Sequence, residues 1–583
     1  MLRSCRSRLC RSLCVTTLIL VGWFASAFAS QGEADSSRAN SKSKPAGSAP
    51  SGIPNDIAEL KQQLSEQQKQ LAELQRQIEE LRRQLPDHSH RNGPAGDSPG
   101  IQLQSASATR PVIPAGETER WMPDDSVARG AAPSPAPAGM QSSGDAESAP
   151  LQFRIGTANI TPVGFLDLTS VWRDTAQGSG IGTNFGAIPS GNTTQGKLTE
   201  LRLSAQNSRV GSRVDAGIKG AYVIAYWESD FLGFVPGNAA VTSNSDTFRL
   251  RLFWVDVRKG KWEVLGGQSW SMITPGRKGI SPLPGDLFFS HDIDVNYQLG
   301  LTWSRDPQFR LVYHPTDSLA MGFSLESPEQ YIGGSAGGSL ITLPSTLAAA
   351  YASQLNNGGT TLNVPGIHPD IIAKVAFDPK LQSGRALHIE VGALARTFRV
   401  WNPLVGRHFR ATGSGVQANL GVELFRGFRV LSNNYWSAGG GRYIFGQAPD
   451  LVVRGDGSLS PLHASSTVTG IEYTKNNTLL YAYYGGLSIG RSFTADTTDG
   501  RFAGYGYPGS PGSQNRSIQE GTVGFTRTFW KDARYGALSL MGQYSYLVRK
   551  PWVVTPGQPG SAKANMIFLD LRYALPGSAP SAK

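Results

Sequence analysis

The stretch MIFLDLRY, residues 566–573, reads with a period of two. Ile567, Leu569, Leu571 and Tyr573 fall on one side of an extended chain, and Asp570 and Arg572 fall on the other. A strand repeats every two residues, so such a segment separates an apolar face from a charged one. The pattern recurs in LAMGFSLE (319–326), where Leu319, Met321, Phe323 and Leu325 oppose Ser324 and Glu326. LTELRLSAQ (198–206), FRLRLFW (248–254), LHIEVGALART (387–397) and LYAYYGG (480–486) read the same way. Segments of about ten residues with apolar and charged faces are the signature of a barrel in an outer membrane. A soluble sandwich or β-helix would not account for aromatics near so many strand ends, as at Trp172, Trp227, Trp254, Tyr313 and Tyr573.

The connections support this reading. Short ones at 258–261, 314–318, 377–384, 425–427, 474–477 and 530–536 alternate with long ones. The long ones lie near 174–196, 231–246, 272–294, 327–368, 401–410, 437–464, 490–516 and 550–561. Short turns at one end and long loops at the other is the rule for bacterial barrels. The alternation works if residues near 297–314 form one long strand interrupted at Asp306-Pro307, with LQFRIG (151–156) as a lead-in. The expected fold is an all-β transmembrane antiparallel barrel of about 16 strands, with both chain ends on the periplasmic side. No other apolar run has the length of a spanning helix, and a closed barrel is the other structure that satisfies every backbone group in lipid.

The first 150 residues differ. Residues 1–29 carry Arg3, Arg6, Arg8 and Arg11, then an apolar run from Val15 to Phe28 and the small-x-small site Ala27-Phe28-Ala29. This reads as a secretory signal peptide. The three cysteines, Cys5, Cys10 and Cys14, all lie in it. A mature chain would have no disulfide and no thiolate chemistry. Its formal charge would fall from +11 to +7 with the four arginines. Residues 30–52 read as a flexible linker and 87–150 as a disordered Pro-, Ser- and Gly-rich one.

Between the linkers, residues 53–86 carry a heptad seam. Its a positions are Ile57, Leu64, Leu71, Ile78 and Leu85, and its d positions are Leu60, Gln67, Leu74 and Leu81. Its other positions are mostly Gln, Glu, Lys and Arg, and Pro86 ends it. The seam predicts a periplasmic α-helical coiled coil ahead of the barrel at 151–576 and a tail at 577–583.

Catalytic motifs are weak. GGSAG (333–337) matches a hydrolase string but sits in a long Gly-rich loop, not a strand-to-helix turn. His88 and His90 lie in a polar linker with no third ligand in view. His388 and Glu390 share a strand face, for which a mixed-charge wall is the commoner reason. There is no P-loop, dinucleotide fingerprint or zinc spacing. The bases alternate along strands instead of clustering, which argues against nucleic acid. No enzyme activity and no cofactor is expected.

The residues with functional content are those on the charged faces, expected to line a pore. They are Arg202, Arg249, Arg251, Arg310, Lys374, His388, Glu390, Arg396, Arg429, Asp570 and Arg572, joined by the acids Asp167, Glu228, Glu326 and Glu423. Charged walls select ions and solutes. Paired opposite charges across neighbouring strands also simply hold a wet barrel together. Arg249 and Arg251, two bases one pleat apart, are expected to make a positive step facing water. Arg527 shares its face with Val523 and Phe525 and is expected outside.

Several stretches resemble the DcaP-like porins of bacterial outer membranes. They are QNSRVGSR (206–213), YWESDFLG (226–233), GGQSWS (266–271), PQFRLVYHP (307–315), PDIIAKVAFD (369–378) and AGGGRYI (438–444), in that order, behind a signal, a coiled coil and a linker. The resemblance spans roughly residues 55–575. It implies a homotrimer of 16-stranded barrels with the N-terminal helices in a periplasmic coiled coil, and diffusion of small, often anionic, organic molecules. The chain departs from the pattern in its Gly-, Ala- and Ser-rich loops and in running on as PGSAPSAK (576–583). The expected function is that of a general or weakly anion-selective porin passing small hydrophilic solutes. The alternative is a plugged structural barrel braced through its coiled coil.

Overall fold

The structure is a computed structural model. It describes residues 152–576, apart from 234–246, 284–286, 293–296, 335–337, 359–363, 382–384 and 497. The signal peptide, the linkers, the coiled coil, the histidines at 88 and 90, Ser335 and the C-terminal tail lie outside the described residues.

Sixteen strands close into an antiparallel barrel. In chain order they are β1 (Ala158–Arg173), β2 (Glu200–Ser204 continued by Arg209–Ile218), β3 (Ala221–Asp230), β4 (Arg249–Lys259) and β5 (Trp262–Trp270). Then come β6 (Arg305–Thr316), β7 (Leu319–Glu326), β8 (Asp370–Phe377), β9 (Leu387–Asn402), β10 (Arg407–Phe425) and β11 (Phe428–Ala438). The last are β12 (His463–Lys475), β13 (Thr478–Ile489), β14 (Asn515–Asp532), β15 (Gly536–Pro551) and β16 (Ala562–Ala574). Each pairs with its sequence neighbours, and β16 returns to β1 with Asp570 opposite Thr169. Closure leaves no open edge, as lipid requires.

The lead-in at 151–156 behaves as expected. Phe153–Ile155 is a short strand folded back on the start of β1, not a seventeenth wall strand. Turns at the short-loop end are tight. Lys219 and Gly220 both have positive φ, 49° and 75°, the geometry that matches the twist of a two-residue hairpin.

The alternation read in β16 holds. Ile567 and Leu569 are each 50% exposed, whereas Asp570 and Arg572 point inward and are buried. Trp172 and Trp227 are exposed at strand ends, and Tyr313 lies against Trp262 at 4.5 Å between ring centroids. Arg527 is exposed on the outside and donates to Thr478 Oγ1 at 2.7 Å.

Three expectations fail. Trp254 is not part of an outer girdle: it is buried inside, stacked on Tyr226 at 5.5 Å. A bulge between Glu228 and Ser229 on β3 leaves Arg251 as the extra residue on β4. A bulge flips the phase of everything beyond it, so Phe253 turns out and Trp254 turns in. Residues 401–410 are not a long loop. β9 and β10 continue their ladder to Asn402 and Arg407, and only 403–406 make the turn. Finally, the strand expected from 297 begins at Arg305. The described parts of 271–304, namely 271–283, 287–292 and 297–304, form a loop inside the barrel, where Leu299 and Leu301 are fully buried. Their period-two pattern records packing on the inner wall, not pairing within it.

Candidate functional site

The inner loop packs closely on the wall at Met272, Ile273, Ile280 and Leu299 because the wall makes room for it there. Three inward positions that could carry side chains are glycine. A methyl group on Gly322 would meet Met272 and Ile280, and one on Gly392 would lie 3.0 Å from Ile273. One on Gly485 would overlap the Leu299 carbonyl. Gly485 belongs to the LYAYYGG stretch, where two glycines follow the aromatic run within β13.

The first limb, 272–279, is held by charge. Met272 N donates to Glu326 Oε1 at 2.8 Å, Gly276 N to Glu390 Oε1 at 3.1 Å and Gly279 N to Asp378 Oδ2 at 2.8 Å. Glu390 is in turn met by Lys374 Nζ at 3.0 Å, Gln417 Nε2 at 3.0 Å and His388 Nε2 at 3.1 Å. The other ring nitrogen of His388 lies 2.8 Å from Asp378. Lys374 also donates to Thr274 O at 2.6 Å. Beyond them Arg277 reaches across to Glu472 on β12, 2.6 Å away. His388 and Glu390, adjacent on one face, thus bind a loop together.

The second limb, 288–292 and 297–303, is held differently. His291 N donates to Gln543 Oε1 at 2.7 Å, and His291 Nδ1 lies 2.6 Å from Asp570. Asp292 accepts from Gln543 Nε2 at 2.6 Å and Ser545 Oγ at 2.9 Å. Glu520 accepts from Gln298 Nε2 at 2.9 Å and Leu299 N at 3.2 Å. Burial pushes the Asp292 carboxyl up to about 7, against the pull of its hydrogen bonds and of His291. Apolar packing does the rest: Tyr297 sits 4.1 Å from Phe445 between ring centroids, and Trp303 N donates to Tyr443 O at 2.7 Å.

The remaining wall bases are mostly paired. Arg251 is fully buried between Glu228 (2.6 Å) and Asp230 (2.5 Å). Arg249 grips Asp230 with both Nε and Nη2, at 2.7 and 2.9 Å, and keeps a little exposure. The two therefore do not both face water. The β4 bulge that flips Trp254 also tucks Arg251 between two acids. Arg396 meets Asp370 at 2.8 Å and Asp450 at 2.7 Å. Arg572 meets Asp167 at 2.7 Å and lies over the Phe165 ring. Arg429 is buried opposite Glu423 and Glu472 in the ladders of β11. Arg202 shares the inward register of Val171 but lies at the rim, about half exposed, 3.2 Å from Glu200. Arg310 rests on neutral acceptors, Trp270 O and Gln308 Oε1.

Besides the inner loop's own Arg277, His291 and Asp292 and the acids Asp378, Glu472 and Glu520 that meet that loop, two arginines away from it also escaped the sequence reading. Arg442 sits in a short turn, Gly441–Tyr443, between β11 and β12. It bridges Asp306 (3.2 Å) and Asp370 (2.8 Å) and stacks over Tyr443. Burial opposes its charge, yet the surrounding carboxylates win and raise its pKa. Its Gly run and Tyr are the AGGGRYI stretch, which was available as a signal. Arg549 is the other. Its Nε donates to Ile188 O at 3.2 Å and its Nη1 to Gly512 O and Asn515 Oδ1, both at 2.9 Å. No carboxylate touches it among the described residues. It lines a cavity of about 730 Å³ between residues 177–193, 338–340 and 512–513 and the β15–β16 loop, at the long-loop end.

No family model matches the chain, and no curated relative does. Among solved structures it is similar to the outer membrane channel DcaP of Acinetobacter baumannii. That match has 17% identity and a TM-score of 0.51, covering 73% of this chain and 99% of that one. An anion-selective porin from Comamonas acidovorans matches at 12% identity and a TM-score of 0.39, over 72% of this chain and 99% of that one. Salmonella typhi OmpF matches at 8% identity and a TM-score of 0.40, over 73% of this chain and all of that one. The likeness to DcaP is one of fold, and the resemblance read from the sequence motifs agrees with it.

Proposed function

We propose that the protein is an outer-membrane porin that passes small hydrophilic solutes by diffusion. The observation that carries this reading is the closed 16-stranded barrel with an apolar outside and a charged inside, with a loop tied to the inner wall. The tied loop narrows the lumen, and the lumen charges set selectivity. Because most wall bases are paired with acids, selectivity is weak. Arg310 and Arg549, held by neutral acceptors, tilt it toward anions. The barrels associate as homotrimers, assisted by the periplasmic coiled coil at 53–86, which raises avidity without new barrel contacts.

The test is a planar bilayer. Conductance should appear in steps, with a reversal potential in a salt gradient that favours anions mildly and most at low salt. The protein should fractionate with the outer membrane and run faster on gels before boiling. Deleting residues 53–86 should leave folded barrels whose trimers dissociate more readily.

A second reading, a plugged structural barrel, is favoured by the burial of nearly all the wall bases beneath inner loops. A bilayer that stays silent at every voltage, with folded protein inserted, selects it.

A further inference from the structure

We propose that the outer face of β14–β16, at the long-loop end, binds phosphate groups of a glycolipid in the outer leaflet. The apolar band on β16 runs from Ile567 to Leu571 and ends below at Tyr573. Tyr544 on β15 is level with its upper edge, opposite Ile567, and Tyr546 stands one pleat higher, both outward, with Tyr544 Oη donating to Asn565 Oδ1. From Asn565 to Tyr573 the tilted strand rises about 20 Å, close to the height of a barrel's lipid band. The tyrosines therefore mark the upper interface, where aromatic rings collect.

One and two pleats higher come three cations. Lys563 is exposed and pairs with Val548. Lys550 points outward and pairs with Ser517, next to exposed Arg516, the extra residue of a bulge in β14. Lys550 and Lys563 are diagonal neighbours across the ladder, about 7–8 Å apart. That spacing lets one phosphate reach both. None of the three has an ion pair among the described residues. The acid beside them, Asp174, is occupied: its oxygens accept from Asn565 N at 2.8 Å and Nδ2 at 2.6 Å. Three cations with no ion pair among the described residues thus sit on three neighbouring strands, a few ångströms above hydrocarbon. That position matches phosphates carried on the first sugars of a lipid. A basic cluster at this depth gains roughly a factor of five in binding per cation from an anionic leaflet.

The proposal rests on the membrane orientation proposed above but not on conductance, so a silent barrel leaves it standing. The experiment uses the full chain, purified and stripped of lipid. Binding is measured to phosphatidylcholine vesicles doped with bisphosphorylated lipid A, and to the same vesicles doped with its dephosphorylated form. The triple variant Arg516→Gln, Lys550→Gln, Lys563→Gln should bind the phosphorylated vesicles at least roughly tenfold more weakly at low salt. Lys259→Gln with Lys475→Gln, at the other end of the barrel, should change little. If the triple variant loses heat-modifiable migration, Lys550→Gln with Lys563→Gln replaces it and spares the bulge. Unchanged binding by the variants overturns the proposal, as does equal binding to dephosphorylated lipid. Competition by millimolar inorganic phosphate would assign the site to free phosphate. Tighter capture of poly-glutamate than of lipid A would assign it to an acidic protein.

Discussion

The two limbs of the inner loop are fixed to one wall by opposite chemistry. Residues 272–279 hand backbone N–H groups to Glu326, Glu390 and Asp378, of which Lys374 and His388 neutralise the last two, and Arg277 adds an ion pair to Glu472. Residues 288–303 bring Asp292 toward Glu520 and lean on Tyr297, Leu299 and Trp303. A network of buried opposite charges fixes position but fails badly when one member is lost. Apolar contact tolerates small losses but not intrusion, because packed interiors have no spare room. The first limb is thus a rigid anchor, and the second is sensitive to shape and to proton supply.

Glu390→Ala attacks the first limb hardest. It strands Lys374 in a buried site and removes the acceptor of Gly276 N. Breaking such a pair costs about 3–5 kcal/mol. The barrel should unfold at a clearly lower temperature on heat-modifiability gels, and any channel should conduct more. Unaltered melting and conductance would mean the anchor lies elsewhere.

Gly485→Val attacks the second limb through shape. The new side chain overlaps the Leu299 carbonyl, so the limb must lift, at a cost of about 1–3 kcal/mol. Added protease should cut within 288–303 sooner than in the parent, while the wall strands stay protected.

The third probe is pH. The Asp292 carboxyl, raised to about 7 by burial, holds its proton more tightly docked than released. An ordinary aspartate titrates near 3.9. The stabilisation is therefore complete below about pH 4 and is lost as pH climbs through about 7. Hydrogen exchange of a peptide spanning 288–303 should quicken between pH 5 and 8, with a smaller change over 272–279. Asp292→Asn should flatten that difference, and a persisting pH response would assign the titration to another group.

The smallest effect separates the paired arginines of β4. Arg249→Gln, at the edge of water, should shift stability by about 1 kcal/mol or less and move the reversal potential slightly toward cations. Arg251→Gln leaves buried Glu228 and Asp230 underpaired and should destabilise several-fold more. Equal effects would show that burial does not set the difference.

Much of the wall was legible in the chain. Alternation in MIFLDLRY and LAMGFSLE fixed which residues face out, because strand geometry sends successive side chains to opposite sides wherever the strand sits. Turn and loop lengths then gave sixteen strands. The reading failed at Trp254, where one bulge residue reversed the phase, and at 297–304, where the period of a strand belongs to a segment packed on a wall. Most of the charged faces were found as well, but not their partners. Arg277 and Glu472 are 195 positions apart, and Ser545 and Asp292 are 253 apart. Nothing local in Gly485 says that a carbonyl from residue 299 will rest on it. A strand's two faces are set by the backbone within a few residues. Which acid neutralises which base, and where a loop lies inside the barrel, depend on distances that exist only once the barrel closes.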